Sequence, residues 1–229
     1  MPITLAAARE DLRAVLNESS PSFYADSDLN NWLNEGARDL SRKAKCLQSK
    51  KSITTYPGQQ NYAAPTDVVM WHRAEYLPQG SINTYPLEYR LYDEMDSVWG
   101  VNQQIQQYYP ATWTTWAEPP NTYVVLFPVP SSGGTLNIYY YRMANAATSD
   151  TANLDTPEGW WDLAVRYATW KALFKSLDPR WKEMRQLYVE MMNDMMAATA
   201  TYSDMVGQMT YGRPSGPLWQ FGGGLGEWA

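Results

Sequence analysis

The sequence predicts an α+β fold: an α-helical bundle drawn from both chain ends, an antiparallel β domain inserted between them, and an extended C-terminal tail. Three observations carry this reading. Apolar residues recur at three- and four-residue spacing in 1–51 and again in 154–207, which lines them along one face of a helix. Between these zones, 52–153 consists of β-branched and aromatic runs broken by prolines and glycines, the pattern of strands and turns. The last stretch, 208–229, is rich in glycine and follows neither period.

Thr4 is placed to cap a first helix whose apolar side is Leu5, Leu12, Val15 and Leu16, and the run from Asn17 to Pro21 ends it. A second helix follows Asp26 and Ser27, with Leu29, Trp32, Leu33, Ala37, Leu40, Ala44 and Leu47 on one face. Gly36 lies on that face too. A glycine costs a helix about 1 kcal/mol against alanine, so this position points to a close approach by another helix. Arg42, Lys43, Lys45, Lys50 and Lys51 then follow with no acid among them. They are either a solvated helix end favoured by the macrodipole or a surface for an acidic partner.

Ile53 to Tyr56 and Gln60 to Tyr62, around Pro57-Gly58, read as a hairpin. Val68 to Tyr76 reads as a further strand, and Leu87 to Trp99 as a short helix with Leu91, Met95, Val98 and Trp99 on its apolar side. Thr122 to Phe127 and Thr135 to Tyr141 carry the clearest strand signal. Joined by the loop from Pro128 to Gly134, they are expected to pair antiparallel.

Thr156-Pro157-Glu158 opens the next helix, with Pro157 in its first position and Trp161, Val165, Ala168, Ala172 and Leu173 as the inner stripe. Asp178-Pro179 restarts it. The last helix runs from Arg180 to about Val206, with Met184, Leu187, Met191, Met195 and Ala198 on its core face. Met192, Met196, Met205 and Met209 lie on other faces, where adaptable thioethers suit a neighbouring subunit.

From Gly212 to Ala229 the chain holds six glycines and two prolines, yet it carries Trp219, Phe221 and Trp228, and Arg213 and Glu227 are its only charges. Ordering each residue loses about 1–2 kcal/mol of backbone entropy, and no periodic apolar face offsets that loss. One reading is an unordered chain end. The other is a docking strap, ordered by a partner that supplies pockets for its aromatics. The candidate contacts are Tyr211, Arg213, Leu218, Trp219, Phe221, Leu225 and Trp228.

Composition narrows the function. The net charge of −6 and pI near 4.8 give no overall basic footprint for sequence-specific nucleic-acid binding. Eleven tryptophans and seventeen tyrosines against four phenylalanines require polar partners for many ring N–H and O–H groups, in the core or at interfaces. Cys46 stands alone, which excludes an intrachain disulfide and suits a reducing cytoplasm. Ile3 to Ala8 is short for a secretory signal and is followed at once by Arg9, Glu10 and Asp11. No apolar run approaches the ~18–20 residues of a membrane span.

No catalytic site, metal or cofactor is expected. His72 and Cys46 are single and far apart in sequence, short of a metal-ligand cluster. No nucleophile-elbow motif accompanies His72, which reads as a structural histidine within a strand. Gly222-Gly223-Gly224-Leu225-Gly226 has no Lys-Ser/Thr pair of a phosphate loop. Asp93, Glu94 and Asp96 read as a solvated helix face rather than as carboxylates set across a sugar cleft.

One order of motifs runs through the chain: Asp28-Leu29-Asn30-Asn31-Trp32-Leu33-Asn34-Glu35-Gly36, the Pro57-Gly58 turn, Ala64-Pro65-Thr66-Asp67, and Leu126-Phe127-Pro128-Val129-Pro130. Gly134-Thr135-Leu136-Asn137-Ile138-Tyr139-Tyr140 and an aromatic helix close it. This order resembles the head-to-tail adaptor, or connector, proteins of tailed bacteriophages, over roughly Asp26 to Gln208. The resemblance implies a virion protein at the head–tail interface, assembled in the host cytoplasm. It also implies a homo-oligomeric ring, commonly twelve-fold, between a portal protein and a tail or nozzle protein, continuing the DNA channel. The helical bundle would then form the ring body, the β domain would point toward the tail, and the C-terminal extension would grip the portal. A net negative chain suits a conduit through which DNA slides without sticking. The tail's Gly222-Gly223-Gly224 and Trp228 match no family motif, so its grip is argued from position and chemistry. The rival reading is a carbohydrate-binding module or a tail or fibre component, with Tyr108, Tyr109, Trp113 and Trp116 exposed to stack on sugars.

The helical periodicity puts Trp32 in the core. Trp32→Ala is therefore expected to cost about 3–5 kcal/mol, read as a lowered thermal midpoint; an unchanged midpoint would place the ring on the surface.

Overall fold

The computed structural model describes residues 2–18, 23–99, 106–107 and 109–210. Among these, five helices and a large, mostly antiparallel sheet form a mixed α/β fold. Helices α1 (Leu5–Leu16) and α2 (Asp26–Ala44) come first. Strands β1 (Gln48–Thr55), β2 (Asn61–Ala63), β3 (Val68–Pro78) and β4 (Tyr85–Tyr89) follow, then α3 (Tyr92–Trp99). After β5 (Gln106–Gln107) come β6 (Thr112–Glu118), β7 (Asn121–Phe127), β8 (Val129–Pro130) and β9 (Gly134–Arg142). Helices α4 (Trp161–Lys175) and α5 (Trp181–Thr210) complete the order.

The Thr4 hydroxyl accepts the Ala7 N–H at 3.3 Å and caps α1, while Asn17, in the left-handed region at φ 56, ends it. Leu5, Leu12 and Leu16 lie within about 20° of one line along this helix, and Val15 sits about 80° off it. This is why Val15, expected on the apolar side, is exposed. In α2, left-handed Lys45 at φ 49 stops the helix at Ala44, so Leu47 leaves the expected face and its carbonyl accepts the Arg142 N–H at 2.8 Å. Trp32 is half-buried at the edge of the core. Its ring lies edge-on to Tyr24 at 6.1 Å and under the Lys175 ammonium at 5.6 Å, so the cost of truncation belongs at the low end of the range above.

Gly36 meets the close neighbour that its position implied. A Cβ built there would lie 2.9 Å from both the Cα and the carbonyl oxygen of Ala164, and 3.0 Å from the Tyr167 Cβ. The backbones of α2 and α4 rest on each other at this point. Helix α4 begins at Trp161 rather than at Pro157, because Gly159 is left-handed at φ 85 and the Trp160 N–H closes a turn onto the Pro157 carbonyl at 3.1 Å. One side of α4, with Ala164, Val165, Ala168 and Ala172, packs on Leu5, Leu12, Leu29 and Leu33 of α1 and α2. Another side, with Leu163, meets Tyr188, Met192 and Met195 of α5 together with Leu40 and Ala44.

The core stripe of α5 is thus Tyr188, Met192 and Met195, and of the expected line Met195 alone is buried. Met192, assigned from the sequence to another face, is buried; Met184, Leu187 and Met191 are half-buried, and Ala198 is exposed. The stripe shifts because α5 packs against α2 and α4 together, and Tyr188 donates a 2.5 Å hydrogen bond to the Asp39 carboxylate of α2. The side chains of Met205 and Met209 lie outside the described residues.

Residues 143–160 tie the sheet to the helices. Asn34 accepts the Ala147 N–H at 2.8 Å and donates to the Ala147 carbonyl at 3.0 Å. The buried Ser41 hydroxyl accepts the Ala144 N–H at 3.0 Å, and the Leu5 N–H reaches the Ala152 carbonyl at 2.8 Å.

The seven-stranded sheet has the order β1-β9-β3-β4-β6-β7-β2, and β5 pairs with β8 in a separate two-stranded sheet. The expected hairpin across Pro57-Gly58 is therefore absent: β1 pairs with β9, and β2 with β7. The turn instead joins the two ends of the sheet. Seven flat strands would set those ends about 29 Å apart, whereas the linker 56–60 spans at most about 22 Å, so the sheet must roll up. Ile53, Tyr62, Tyr76, Leu87, Trp113, Leu126 and Leu136, one from each strand, accordingly share one core. Nor do β7 and β9 pair with each other. The edges of β7 are taken by β6 and β2, those of β9 by β1 and β3, and β8 draws the connecting loop onto β5. Leu87 to Tyr89 belong to β4 rather than to a helix, which starts only at Tyr92, and Leu91 is exposed just before it. The side chains of Val98 and Trp99 lie outside the described residues.

Gly36→Ala is expected to lower stability by about 2 kcal/mol. Overpacking against backbone sits at the upper part of the usual ~1–3 kcal/mol, and the gain in helix propensity returns only ~1 kcal/mol. A urea titration with a reduced midpoint and unchanged slope reads this directly; no shift would mean that the two helices stand further apart.

Candidate interaction surfaces

Strand β4 is short on both sides. It meets β3 only at Ala74, Glu75 and Tyr76, and β6 only where Glu88 and Tyr89 pair with Thr112 and Trp113. Beyond Tyr89, β3 continues to Val68 and β6 continues to Glu118, and among the described residues no strand lies between them. A cleft of about 410 Å³ opens there, lined by Val69, Met70, Trp71, His72, Tyr89 and Trp113. Bulges in the β3–β9 register at Val69 and His72 twist this part of β3. The Trp113 ring is 1 % exposed and lies edge-on to Trp71 at 5.8 Å and to Tyr89 at 5.0 Å. Its indole Nε1, like the Arg90 Nε, is buried with no hydrogen-bond partner among the described residues, which leaves a donor unsatisfied at a cost.

A second surface lies at the α4–α5 corner. Leu177 is 84 % exposed and left-handed at φ 58, a backbone state that costs a leucine about 1–3 kcal/mol and recurs at contact sites. Phe174 is exposed beside it, edge-on to Trp181 at 5.3 Å. The exposed Phe23 stacks edge-on against Tyr24 at 4.8 Å, and the Tyr24 hydroxyl donates to the Ala172 carbonyl at 2.9 Å. Together these rings expose apolar area at the end of α4, where α5 begins.

The strong charges elsewhere are structural. Arg142 clasps Asp155, with one of the two bonds at 2.8 Å. Burial pushes the Asp155 carboxyl up, but hydrogen bonds from Arg142 and Asn145 outweigh it and hold the group below its ordinary value. Burial raises the Cys46 thiol to about 11, so it is a poor nucleophile near neutral pH. Burial, followed by the bond to Asp39, raises the Tyr188 phenol as well.

The sequence-derived candidates separate. Tyr211, Arg213, Leu218, Trp219, Phe221, Leu225 and Trp228 lie outside the described residues, as does Tyr108. Of the proposed sugar-stacking rings, Tyr109 and Trp116 are exposed, but Trp113 is core and cannot present its face. It was placed outside because its stretch is polar, whereas strand alternation turns it inward beside threonines that face α3. His72 is in a strand as expected; it is exposed, with its ring 5.9 Å from that of Tyr141. Asp93 and Glu94 are exposed, and Glu94 accepts the Leu91 N–H at 3.3 Å at the start of α3. The Asp96 side chain lies outside the described residues. Among the described residues no group of three His, Cys, Asp or Glu could hold a metal ion, and no helix is long and apolar enough to cross a membrane. Sequence reasoning missed Trp71 and Tyr89 in the cleft and Phe174 and Leu177 at the corner. The helix break at Asp178-Pro179 was the available signal for the corner; the cleft had none, since it depends on the lengths of three strands.

The aromatic cleft at the sheet gap and the apolar helical corner are candidate interaction surfaces among the described residues. The chain belongs to the SU10 adaptor protein family, whose model matches residues 3–214. It is a structural adaptor protein of a bacteriophage virion. No curated protein matches it. Among solved structures it is similar to a chain described as "Neck of empty GTA particle computed with C6 symmetry", at 12 % identity and a TM-score of 0.29, over 76 % of this chain and 83 % of that one.

Trp113→Ala is expected to cost about 3–5 kcal/mol, whereas Trp116→Ala, which loses an exposed ring's contact with Tyr92 at 4.9 Å, should cost about 0.5–1.5 kcal/mol, both read from denaturation midpoints. Sugar binding on a glycan array that is lost in the folded Trp116→Ala protein would restore the carbohydrate reading.

Proposed function

We propose that this protein is the head-to-tail adaptor whose copies close a ring between the portal and the tail and continue the DNA channel. The observation that carries the reading is the family match across 3–214, nearly the whole chain. Twelve-fold symmetry is the arrangement the family resemblance implies, beneath a portal at the capsid vertex and above a tail or nozzle protein. In this proposal residues 1–51 and 154–207 form a helical bundle in the ring body, and 52–153 form the β domain directed toward the tail. The strap is 208–229, with the seven residues from Tyr211 to Trp228 named above as its contacts. The protein joins neighbours rather than transforming a substrate, and needs no cofactor. Assembly takes place in the host cytoplasm and the final location is the head–tail interface. The net charge of −6 supports a channel that DNA passes without sequence-specific binding.

Electron microscopy of purified virions should show this chain as a ring between portal and tail; density elsewhere, or none at that joint, would overturn the reading. Deleting Arg213 to Ala229 should leave the thermal midpoint nearly unchanged while the protein is lost from particles. A collapse of the midpoint would instead assign the segment to the core.

A further inference from the structure

We propose that the loop end of the sheet, the end remote from the helices, is the face that docks the tail-side protein of the joint, through a surface of that partner that is itself poor in charge. The proposal rests on the reading that the β domain is directed toward the tail. Three connections meet at this end. Thr55 and Pro78 both pair with Gly134, so the turns at 56–60 and 79–84 and the loop at 128–134 lie side by side. The helices join at the other end, where Val68 pairs with Arg142 and the Arg142 N–H reaches the Leu47 carbonyl at 2.8 Å, about 27 Å away along β9. Apolar side chains stand out of the loop end. Ile82 is 96 % exposed in its turn, Tyr56 is exposed in the next one, and the exposed rings of Tyr85 and Tyr109 stack at 5.3 Å.

These loops brace one another. The Gln79 N–H donates to the Gly133 carbonyl at 3.0 Å and the Gly58 N–H to the Pro130 carbonyl at 2.9 Å, while the buried Tyr76 hydroxyl donates to the Ser132 carbonyl at 2.9 Å. The Ser81 hydroxyl accepts the Asn83 N–H at 3.0 Å, with Ile82 between them. Turns favour Gly, Asn, Asp and Ser, so an isoleucine there serves neither the turn nor the core. A tip held ready in this way loses little entropy on binding. Charge supplies the second observation. Although 18 % of the chain is charged, the runs 52–66, 76–87 and 119–141 that build this end contain no Lys, Arg, His, Asp or Glu. Aromatic rings without charge are the composition of a protein–protein interface core. The same lack of cations turns away DNA, whose phosphates a binding surface must neutralise. Burying an unpaired charge is costly, so the partner must also be free of charge where it covers these tips.

Ile82→Glu and Tyr56→Glu, made singly in the full-length chain and carried into virions, test this, with Ile82→Leu as the conservative control. Both positions are exposed, so each purified variant should keep the parental thermal midpoint. In electron micrographs the two glutamate variants should give at least about tenfold more heads that carry the ring but no tail, since each places an unpaired charge in the contact. Ile82→Leu should give parental counts. Tails attached at the parental frequency on both glutamate variants would overturn the proposal. So would heads that lose the ring while the midpoint holds, because the loop end would then serve the head side or a neighbouring copy. Parental tailing together with Ile82-dependent binding of the purified protein to phosphatidylcholine vesicles would overturn it in favour of a neutral lipid surface. A ring absent from parental virions would bring down the adaptor reading and this proposal with it, whereas a ring in place with tails on every variant rejects this surface alone.

Discussion

The contact between Gly36 and Ala164 is the constraint on which the rest of the molecule depends. With no side chain at position 36, α4 comes down onto the backbone of α2, and the small residues Ala164, Ala168 and Ala172 keep the approach close along its length. That closeness lets α4 share one core with α1 and α2 and a second with α5. Half a turn earlier in α2, Asn34 satisfies both backbone groups of Ala147, and a turn and a half later Ser41 holds Ala144. One helix therefore sets both the approach of α4 and the path of the segment that leaves the sheet. Two ion pairs, Glu35 with Lys171 and Asp28 with Lys175, flank the contact at the surface, where they add little energy but agree with the same alignment.

The sheet obeys a different constraint, the short connection between its first two strands. Because 56–60 must join opposite ends of the strand order, the sheet curls and gains an interior. Curling also separates the edges of β3 and β6 where β4 runs out, which is the origin of the aromatic cleft. Cleft and core are thus two results of one geometry: Trp113 lies 1 % exposed in the shared interior, yet its ring lines the gap.

How much of this could be read beforehand depends on how local the cause is. Helix existence, the Thr4 cap and the meaning of Gly36 were legible because they follow from residues three or four apart. The stop at Lys45 and the late start at Trp161 were not, since a left-handed residue overrides an apolar pattern that would otherwise continue. Strand existence was legible for β3, β7 and β9 and, in part, for β1 and β2, but pairing was not. The Pro57-Gly58 turn and the 128–134 loop both look like hairpin connections, and only the competition of all the strands for edges shows that neither is. Of the proposed contact surfaces, the tail was suggested by composition alone, while Trp71 and Tyr89 line a cleft only because the strands on either side of β4 outrun it.

The strand order also fixes when the fold can be finished. Strand β1 leaves the second helix early, yet its sole partner in the sheet is β9, so Gln48 must wait for Tyr141 and Thr55 for Gly134. On a growing chain that strand is an open edge through the making of everything between, the condition in which neighbouring nascent copies zip together. Lys50 and Lys51 sit in the middle of it, both exposed, and like charges in register oppose that zipping. Two side chains that add little to the finished core are thus of the kind that disfavours pairing at an open strand edge.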